Sequence, residues 1–409
     1  MRSIRERLNS MQPETQPRPA PARSANGIDL IVPGSEHVTS RGTHFIVEQR
    51  ITDPTDGGLS SVERTLPTIL GTGLDDMPAI DPAEILFLDT ETTGLDRGTG
   101  THVFLVGLGY FDGSSFIVEQ HFLRGLHEEP SMLESILERI NRSRLLVTYN
   151  GRGFDWPMIA GRLILHGYRD FNQPLHWDLL TSTRRIWRNR LQDCSLGNIE
   201  REILGVQRFG DVPGYMIPDL YFAYLRNHDA APLRPVFSHN QEDIVSLARL
   251  ADQLIFAHEA PHLALSNPVD QVSFGLSRLN HGFIDEALEL ICPLLESSAI
   301  SPDLRFRASR SAAEHLKRRA RFDEAMALWH QMTNTTRSAN AETTIYPLIE
   351  LAKVCEHREK DYQRALQYVE RARNLVELHG WNQERPAIVH RYARLMRRLE
   401  RAKSRKQDR

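Results

Sequence analysis

Residues 85–95 read ILFLDTETTGL, an apolar run that passes directly into a polar segment carrying two acids. A short apolar run of this kind is typical of a buried β-strand. Side chains along a strand alternate between its two faces, so Asp89 and Glu91 are expected to project from the same face. Neighbouring carboxylates repel each other, and a divalent cation relieves that repulsion. The pattern therefore predicts a cation site, with a pair of solvated acids at a strand edge as the alternative.

The segments around this run predict an α/β fold. Asp112-Gly113 lies between two apolar runs and is typical of a hairpin turn, which indicates an antiparallel meander. Apolar runs predict strands, and helical spacing predicts helices, with the strands at 85–88, 102–110, 115–122, 144–148 and 175–180 and the helices at 128–142 and 153–166. From there the chain is mostly helical to about residue 257. This order is typical of a mixed sheet with helices on its faces.

Two further segments carry acids that folding is expected to bring near Asp89. Asp155 ends YNGRGFD, which follows the fourth predicted strand and begins a helix. An acid in the first turn of a helix also interacts well with the helix dipole, which is the structural alternative. His239 and Asp243 are four residues apart in SHNQED and share one face of a helix. They are either a base beside a metal ligand or an ordinary surface pair.

The three segments together resemble a known family. DTETTGL, YNGRGFD and HNQED are similar to the three exonuclease motifs of the DEDD superfamily of 3′–5′ exonucleases, which have a ribonuclease-H-like fold. More narrowly, the chain resembles the YprB-type ribonuclease-H-like domain through HWDLL at 176–180, CSL at 194–196 and DVPGYMIP at 211–218. The resemblance covers about residues 82–257. It implies a ribonuclease-H-like mixed sheet with flanking helices.

The resemblance also implies roles for matching residues. Two divalent metal ions, Mg²⁺ or Mn²⁺, would be held by four carboxylates, those of Asp89, Glu91, Asp155 and Asp243. His239 would orient or deprotonate the attacking water, although His-type members usually carry this histidine five residues before the last Asp rather than four. Five residues are expected to line the cleft for the terminal nucleotide: Thr92, Gly94, Leu95, Asn150 and Phe154.

Beyond this domain the chain divides into regions of different character. Residues 1–27 are rich in Pro and Arg and are predicted to be disordered, and 28–81 are expected to form an extended arm or linker. Residues 82–257 form the predicted ribonuclease-H-like domain. Residues 265–409 are predicted to be all-α, with tetratricopeptide-like helix pairs and a basic last helix. The repeat rests on Ala287, Ala325 and Ala365, spaced 38 and 40 residues apart where tetratricopeptide repeats have about 34; a generic helical bundle is the alternative.

Composition limits the classes of protein that fit. Hydrophobic residues make up 40% and charged residues 25% of the 409, and no apolar run approaches the ~20 residues that span a membrane. The N-terminus has no apolar stretch of the secretory kind, so a cytoplasmic location is expected. Three scattered cysteines are too few for a disulfide framework or a zinc site, and they predict reduced thiols.

Charge is divided unevenly along the chain. Residues 301–409 hold 24 Lys+Arg against 14 Asp+Glu, a net of +10, and the remainder has 26 against 39, a net of −13. Such asymmetry predicts an anionic partner for the basic part, with solvated helix faces as the alternative.

These observations lead to one functional hypothesis and two rivals. The hypothesis is a metal-dependent 3′–5′ exonuclease that acts on DNA or RNA, at single strands or 3′ ends, with the helical region recruiting substrate or a protein partner. One rival is a nucleic-acid-binding scaffold without catalysis, which the presence of all four carboxylates disfavours. The other is a structure-specific endonuclease, since one fold supports several activities. The choice between DNA and RNA, and between Mg²⁺ and Mn²⁺, stays open.

Overall fold

The computed structural model describes residues 27–52, 54–55, 59, 62–70, 80–94, 100–335, 341–381 and 383–407. The disorder predicted for 1–27 falls outside these residues except at Gly27, and so does the predicted substrate contact Leu95. Within the described chain the predicted fold class is confirmed, because a mixed β-sheet with flanking helices is followed by a helical region.

The sheet has seven strands in the order β1-β2-β5-β4-β3-β6-β7. Their bounds are β1 Ser35–Thr39, β2 Gly42–Thr52, β3 Ile85–Thr92, β4 Val103–Asp112, β5 Ser115–Phe122, β6 Leu145–Thr148 and β7 Leu175–Asp178. The predicted meander is present, since β4 pairs antiparallel with both β3 and β5. β6 pairs parallel with the first half of β3, from Ile85 to Phe87, and β7 pairs with β6, which makes the sheet mixed and ends β6 beside the residues that precede Asp89.

The region assigned to an extended arm differs from its prediction. Residues 35–52 form β1 and β2, and β2 pairs with β5 over eight residues from Phe45 to Thr52. The alternation along β2 is short and interrupted by polar residues, so its apolar pattern is weak in isolation. Phe45 and Val47 nevertheless lie in the core, because the sheet supplies the face against which they are buried.

Thirteen helices of eight or more residues lie within the described ranges. Their bounds are α1 Val62–Leu70, α2 Glu129–Arg142, α3 Asp155–Leu165, α4 Leu179–Leu191, α5 Ile217–Asn227, α6 Arg234–Glu259, α7 Pro268–Asn280, α8 Ile284–Ile291, α9 Pro302–Arg318, α10 Phe322–Thr335, α11 Ala341–Val354, α12 Tyr362–His379 and α13 Arg385–Gln407. Shorter helical turns occur at Ile28–Ile31, Pro82–Glu84, Leu126–Glu128, Leu196–Ile199, Glu200–Leu204, Gly214–Met216, Ala231–Leu233, Pro261–Ala264, Cys292–Leu294 and Cys355–Glu359. Helices α2 and α3 match the two predicted ones.

Two glycines on β4 set how closely α6 approaches the sheet. A Cβ atom at Gly107 would lie 2.4 Å from Oδ1 of Asn240, and one at Gly109 would lie 2.5 Å from Cγ2 of Ile244. Any side chain at either position would collide with α6, because real Cβ contacts are longer than this. The first turns of α6 therefore lie directly on the strand next to Asp89.

The chain forms two compact units, and each has its own apolar core. The first comprises the described residues before 65 together with 80–180 and 195–252, and it contains the whole sheet. The second comprises 65–70, 181–194 and the described residues from 253 onward, and it is helical. These limits differ from the predicted 82–257 and 265–409, because part of α4 and the end of α6 group with the helices. The predicted domain bounds therefore stay a proposal.

Consecutive helices pack against each other in the second unit, in the pairs α7–α8, α9–α10 and α11–α12. Ala287, Ala325 and Ala365 occupy the fourth position of α8, α10 and α12, and all three are fully buried. A small residue at this position allows two helices to approach closely. No helix in the described ranges has both the length and the apolar character needed to cross a bilayer.

Candidate metal and catalytic site

The end of β3 carries the first two predicted ligands. Asp89 and Glu91 are half-buried, whereas Thr90 and Thr92 between and after them are buried on the opposite face. This alternation is the one expected for a strand. Asp155 and Asp243 lie close enough to both carboxylates to raise their pKa values by charge repulsion. The fold therefore brings all four predicted acids together.

A row of amide side chains holds Asp89. Nδ2 of Asn240 donates to Oδ2 of Asp89 at 2.9 Å, and Nε2 of Gln120 donates to Oδ1 of Asn240 at 2.9 Å. The same Gln120 nitrogen also donates to the carbonyl of Phe237 at 2.8 Å. Asn240 and Gln120 are buried, and Gly107 leaves the space for Asn240. The Asp89 carboxylate is thus held by α6, whose Asn240 is in turn held by Gln120 of β5.

Asp155 is the first residue of α3 and only 6% of it is exposed. Oγ1 of Thr90 donates to Oδ1 of Asp155 at 2.5 Å. The preceding loop is held by Asp178, which accepts from the backbone N–H of Asn150 at 2.8 Å and of Arg152 at 3.2 Å. Asn150 has a φ of 64°, a left-handed conformation that asparagine tolerates better than most residues. The loop therefore turns sharply and begins α3 at the acid.

His239 lies on α6 and contacts carboxylates through both ring nitrogens. Nδ1 is 2.7 Å from Oδ1 of Asp211. Nε2 is 3.5 Å from Oδ2 of Asp243 and 3.9 Å from Oε1 of Glu91. The predicted histidine is therefore at the carboxylate cluster, with Nε2 as the nitrogen on that side.

Arg208 is the cation nearest to Asp243. Its Nη2 donates to Oδ1 of Asp243 and to Oε1 of Glu200. Only 10% of the Arg208 side chain and 1% of the Glu200 side chain are exposed. Carboxylate neighbours raise the pKa of Arg208 even against its burial, so it stays charged. This guanidinium compensates part of the negative charge at one end of the cluster.

Among the described residues, burial and mutual repulsion dominate the pKa values of the four acids. Burial and repulsion from Asp243, Asp155 and Glu91 raise the pKa of Asp89 well above its usual range, and the Asn240 hydrogen bond offsets only part of this. Burial and the same kind of repulsion raise the pKa of Glu91 to about 8. Burial raises the pKa of Asp155 to about 6, against the effect of the Thr90 hydrogen bond. Burial also raises the pKa of Asp243, although His239 and Arg208 oppose it.

The donor chemistry of the cluster fits a hard divalent cation. Four carboxylates that repel one another in a partly dehydrated place are a suitable ligand set for Mg²⁺ or Mn²⁺. In the present side-chain arrangement, no three acidic, histidine or cysteine groups among the described residues form a ready coordination cluster. Asp89, Asp155 and Asp243 each use one carboxylate oxygen in a hydrogen bond, with Asn240, Thr90 and Arg208 respectively.

The predicted substrate contacts lie around the same strand and loop. Thr92 is buried and its hydroxyl donates to the carbonyl of Gly94 at 2.8 Å. Asn150 is exposed, and Phe154 is half-buried immediately before Asp155. Leu95 lies outside the described residues. Contact of these residues with a nucleotide stays a prediction.

Four polar residues of the site did not emerge as functional from the sequence. Asn240 lies inside the HNQED segment, so its position beside His239 was an available signal. Asp178 and Asp211 lie in HWDLL and DVPGYMIP, two of the segments that carried the narrower resemblance, so the sequence held a signal for both. Arg208 had no local signal, because its shortest contacts are with Glu200 and Asp243, which are 8 and 35 residues away in the chain.

Fold and site together define the ribonuclease-H-like class, in which carboxylates gather at the end of a central strand. Residues 86–255 match a family model described as RNase_H superfamily. The chain is also 33% identical over 294 residues to a protein of Bacillus subtilis (strain 168) named "Uncharacterized protein YprB", an alignment that covers 70% of this chain and 68% of that protein. The chain belongs to the YprB-type family of the ribonuclease H superfamily.

Proposed function

We propose that this protein is a metal-dependent nuclease that removes nucleotides from the 3′ end of a nucleic acid. The coarser assignment, to a superfamily of nuclease type, is given by the family match. The observation that carries the finer proposal is the cluster of four acids with Nε2 of His239 at 3.5 Å from Asp243. Perturbed carboxylates beside an imidazole are typical of sites that perform acid–base chemistry.

In the proposed enzyme Asp89, Glu91, Asp155 and Asp243 would hold two divalent cations, Mg²⁺ or Mn²⁺. When bound, such a pair supplies Lewis-acid activation of water and neutralises charge that develops on a phosphodiester. The uncompensated repulsion within the cluster supports this assignment. Arg208 would then share Asp243 with a cation or give up that contact.

His239 is proposed as the general base. Its Nε2 would take a proton from the attacking water while the water oxygen forms a bond to phosphorus. The bond from phosphorus to the 3′ oxygen of the penultimate nucleotide breaks, and that oxygen keeps the electron pair and takes a proton from solvent. The products are a nucleoside 5′-monophosphate and a strand shortened by one nucleotide. An imidazole suits this role because histidine ordinarily titrates near neutral pH.

The second unit is proposed to bring substrate to the site or to bind a protein partner. Its last 109 residues carry a net charge of +10. On α13 the side chains of Arg385, Arg397 and Arg401 are exposed. Exposed arginines attract phosphate backbones through counterion release, which supports DNA or RNA as the partner. The paired helices and their buried alanines support a tetratricopeptide-like arrangement.

The test uses the full chain and 5′-labelled single-stranded DNA and RNA, each with Mg²⁺, Mn²⁺ or EDTA. The wild type is expected to give a metal-dependent ladder that shortens from the 3′ end. The Asp89→Ala/Glu91→Ala variant is expected to give none. Glu138→Ala/Asp219→Ala is the matched control, because it removes the same charge from two exposed positions outside the cluster. This control should cleave like the wild type.

Other outcomes point to the rival functions. Internal cuts that need metal and Asp89 would replace the exonuclease with an endonuclease. Retention of labelled strands without cleavage under any condition would replace it with a nucleic-acid-binding scaffold. Equal cleavage by the wild type and the Asp89→Ala/Glu91→Ala variant would show that the carboxylate cluster is not the site.

A further inference from the structure

Asp211 lies on a loop outside the four-carboxylate set, and it makes the shortest contact of His239. The distance from Oδ1 of Asp211 to Nδ1 of His239 is 2.7 Å. We propose that Asp211 is the positioning residue of the general base: it holds Nδ1 and thereby directs Nε2 into the cluster. This inference rests on the proposed function and assigns that site a residue beyond the four acids and the histidine.

The two nitrogens of the ring have different surroundings, which gives the arrangement a direction. A carboxylate oxygen only accepts, so the contact with Asp211 requires a hydrogen on Nδ1. Nε2 is then the nitrogen that exchanges a proton, and it faces Asp243 at 3.5 Å and Glu91 at 3.9 Å. A carboxylate that fixes the tautomer and orientation of an imidazole is a recurrent arrangement in catalysis.

Arg208 offers a competing contact with the same nitrogen. Its Nη1 is 3.2 Å from Nδ1 of His239, and a guanidinium only donates, so this contact would require a bare Nδ1. Both contacts cannot be hydrogen bonds at once. The contact with Asp211 is shorter, at 2.7 Å against 3.2 Å, and it pairs the N–H of the ring with an anionic acceptor. Nδ1 therefore carries the hydrogen, and Arg208 serves a different purpose.

That purpose is to hold Asp211. Nη1 of Arg208 is 3.5 Å from Oδ2 of Asp211, and Oδ1 of Asp211 also accepts from the backbone N–H of Val212 at 2.9 Å. Arg208 is itself bound to the buried carboxylate of Glu200. The carboxylate of Asp211 is 30% exposed, yet it is fixed on both of its oxygens. The order of support is therefore Glu200, Arg208, Asp211 and then the imidazole.

The position of His239 on α6 explains why it requires this support. Only 18% of its side chain is exposed, but the ring has no apolar stack among the aromatic pairs of the described residues. Its contact with Asp243, four residues along the same helix, restrains Nε2 alone. A catalytic group must be held within a narrow range of orientations to act in the transition state. Asp211 restrains the other end of the ring.

The first test is a double-mutant cycle on the full chain, measured as kcat and KM at saturating metal. Asp211→Ala is expected to lower kcat by about 10–100-fold, as loss of a partner that orients a histidine does. KM and the metal concentration for half activity should change less than about twofold. His239→Ala should lower kcat further, and adding Asp211→Ala to it should have no additional effect. Asp219→Ala, at an exposed position, is the control.

A conservative variant separates positioning from charge. Asp211→Asn keeps the shape of the side chain, but its amide can donate to Nδ1 and select the tautomer with hydrogen on Nε2, so it should lower kcat at least as much as Asp211→Ala. If Asp211→Ala lowers kcat by the same factor in the wild-type and His239→Ala backgrounds, Asp211 acts independently of the histidine and the proposal is overturned. If Asp211→Ala leaves kcat unchanged, it is overturned as well.

The second test does not need activity. In the protein labelled with ¹⁵N at histidine, the signals absent from His239→Ala identify His239. At alkaline pH, where histidine rings are neutral, the wild type is expected to show hydrogen on Nδ1, and Asp211→Ala a mixture of tautomers. Hydrogen on Nε2 in an active wild type overturns the positioning role and leaves the nuclease intact. Hydrogen on Nδ1 in a protein that cleaves nothing supports the Asp211 contact and overturns the nuclease instead.

Discussion

Glu119 and Asp89 are both acids of the same sheet, on β5 and β3, but their surroundings differ. Burial alone would raise the pKa of Glu119, yet the nearby His121 together with hydrogen bonds from Arg139 and Tyr110 lowers it to about 2. Nε of Arg139 donates to it at 3.0 Å and the Tyr110 hydroxyl at 2.7 Å. Glu119 is therefore a buried charge with local compensation.

The acids around Asp89 lack equivalent compensation. Among the described residues Asp89 receives a neutral amide, Asp155 receives a hydroxyl, and only Asp243 has a guanidinium partner. The two clusters of acids therefore differ in how their charge is balanced. Removing one partner from a balanced cluster destabilises the fold, whereas an unbalanced cluster itself lowers stability and is retained where chemistry requires it. The comparison supports a functional role for Asp89 and a structural role for Glu119.

The largest expected effect is on activity at the unbalanced cluster. Asp89→Asn should lower kcat by about a thousandfold, because a metal ion contributes several kcal/mol and each 1.36 kcal/mol is tenfold in rate. The free energy of unfolding should stay equal or rise, since the amide still accepts from Asn240 but no longer repels its neighbours. Cleavage assays and urea denaturation measure the two quantities. If Asp89→Asn lowered the free energy of unfolding by as much as the loss of a buried salt bridge does, the comparison would be contradicted.

At the balanced cluster around Glu119, a substitution is expected to change stability rather than activity. Glu119→Gln should lower the free energy of unfolding by about 3 kcal/mol, the lower part of the range for a broken buried pair, because Arg139 keeps 28% of its side-chain surface exposed. Activity per folded molecule should not change. Glu138→Gln on the exposed face of α2 is the matched control for denaturation. If Glu119→Gln and its control were equally stable, the structural role of Glu119 would be contradicted.

Binding of divalent cations is expected to change the stability of the protein by an intermediate amount, and this change depends on pH. The pKa of Glu91 is raised from 4.5 to about 8 and that of Asp155 from 3.8 to about 6. A carboxyl group whose pKa is higher in the folded than in the unfolded state contributes stability at pH below its unfolded-state pKa. This stability is lost as the pH rises through the folded-state pKa. The metal-free protein should therefore lose stability between about pH 4 and about pH 8.

Mg²⁺ or Mn²⁺ should restore that stability, because cations bind the ionised carboxylates. At a hundredfold excess over its Kd, a ligand stabilises by about 2.7 kcal/mol. The rise in Tm on adding cation should be larger near pH 8 than near pH 5, with NaCl of the same ionic strength as control. The same Tm rise at both pH values would contradict a carboxylate site.

The smallest effect is expected from a histidine beside the balanced cluster. Burial, with the nearby charges of His121, His37 and Arg124, lowers the pKa of His44 from 6.5 to about 3. The ring bonds Ser131 at 2.9 Å and His121 at 3.0 Å. A lowered histidine pKa favours the fold at pH above 6.5, and this contribution is lost as pH falls towards 3.

The contribution of His44 to the free energy of unfolding should therefore fall by about 1–2 kcal/mol between about pH 6.5 and about pH 5, at 1.36 kcal/mol per pKa unit. His44→Asn does not titrate there, so the free energy of unfolding of the wild type relative to His44→Asn should fall by this amount with acid, on top of the pH dependence that the carboxylate cluster gives both proteins. His37→Asn, at the exposed neighbour, should keep the wild-type slope. Parallel slopes for His44→Asn and the wild type would show that His44 is not the group.

Local patterns in the sequence predicted the parts of this molecule that depend on local order. The period of a strand was enough to pair Asp89 with Glu91, and the period of a helix was enough to pair His239 with Asp243. The addition of β1 and β2 to the sheet depends on pairing with β5, more than 60 residues along the chain, so no local pattern in 28–81 announced it. Arg208 was missed for the same reason, since its partners come together only in the folded chain.

The absence of a side chain at Gly107 also closes one approach to Asp89. With Asn240 only 2.4 Å from where a Cβ would stand, and with Asn240 and Gln120 both buried, the contact between β4 and α6 leaves no path for water at this point. In the proposed enzyme, ions and substrate would therefore have to reach Asp89 from another side. A glycine that carries no functional group thus restricts how the site is reached.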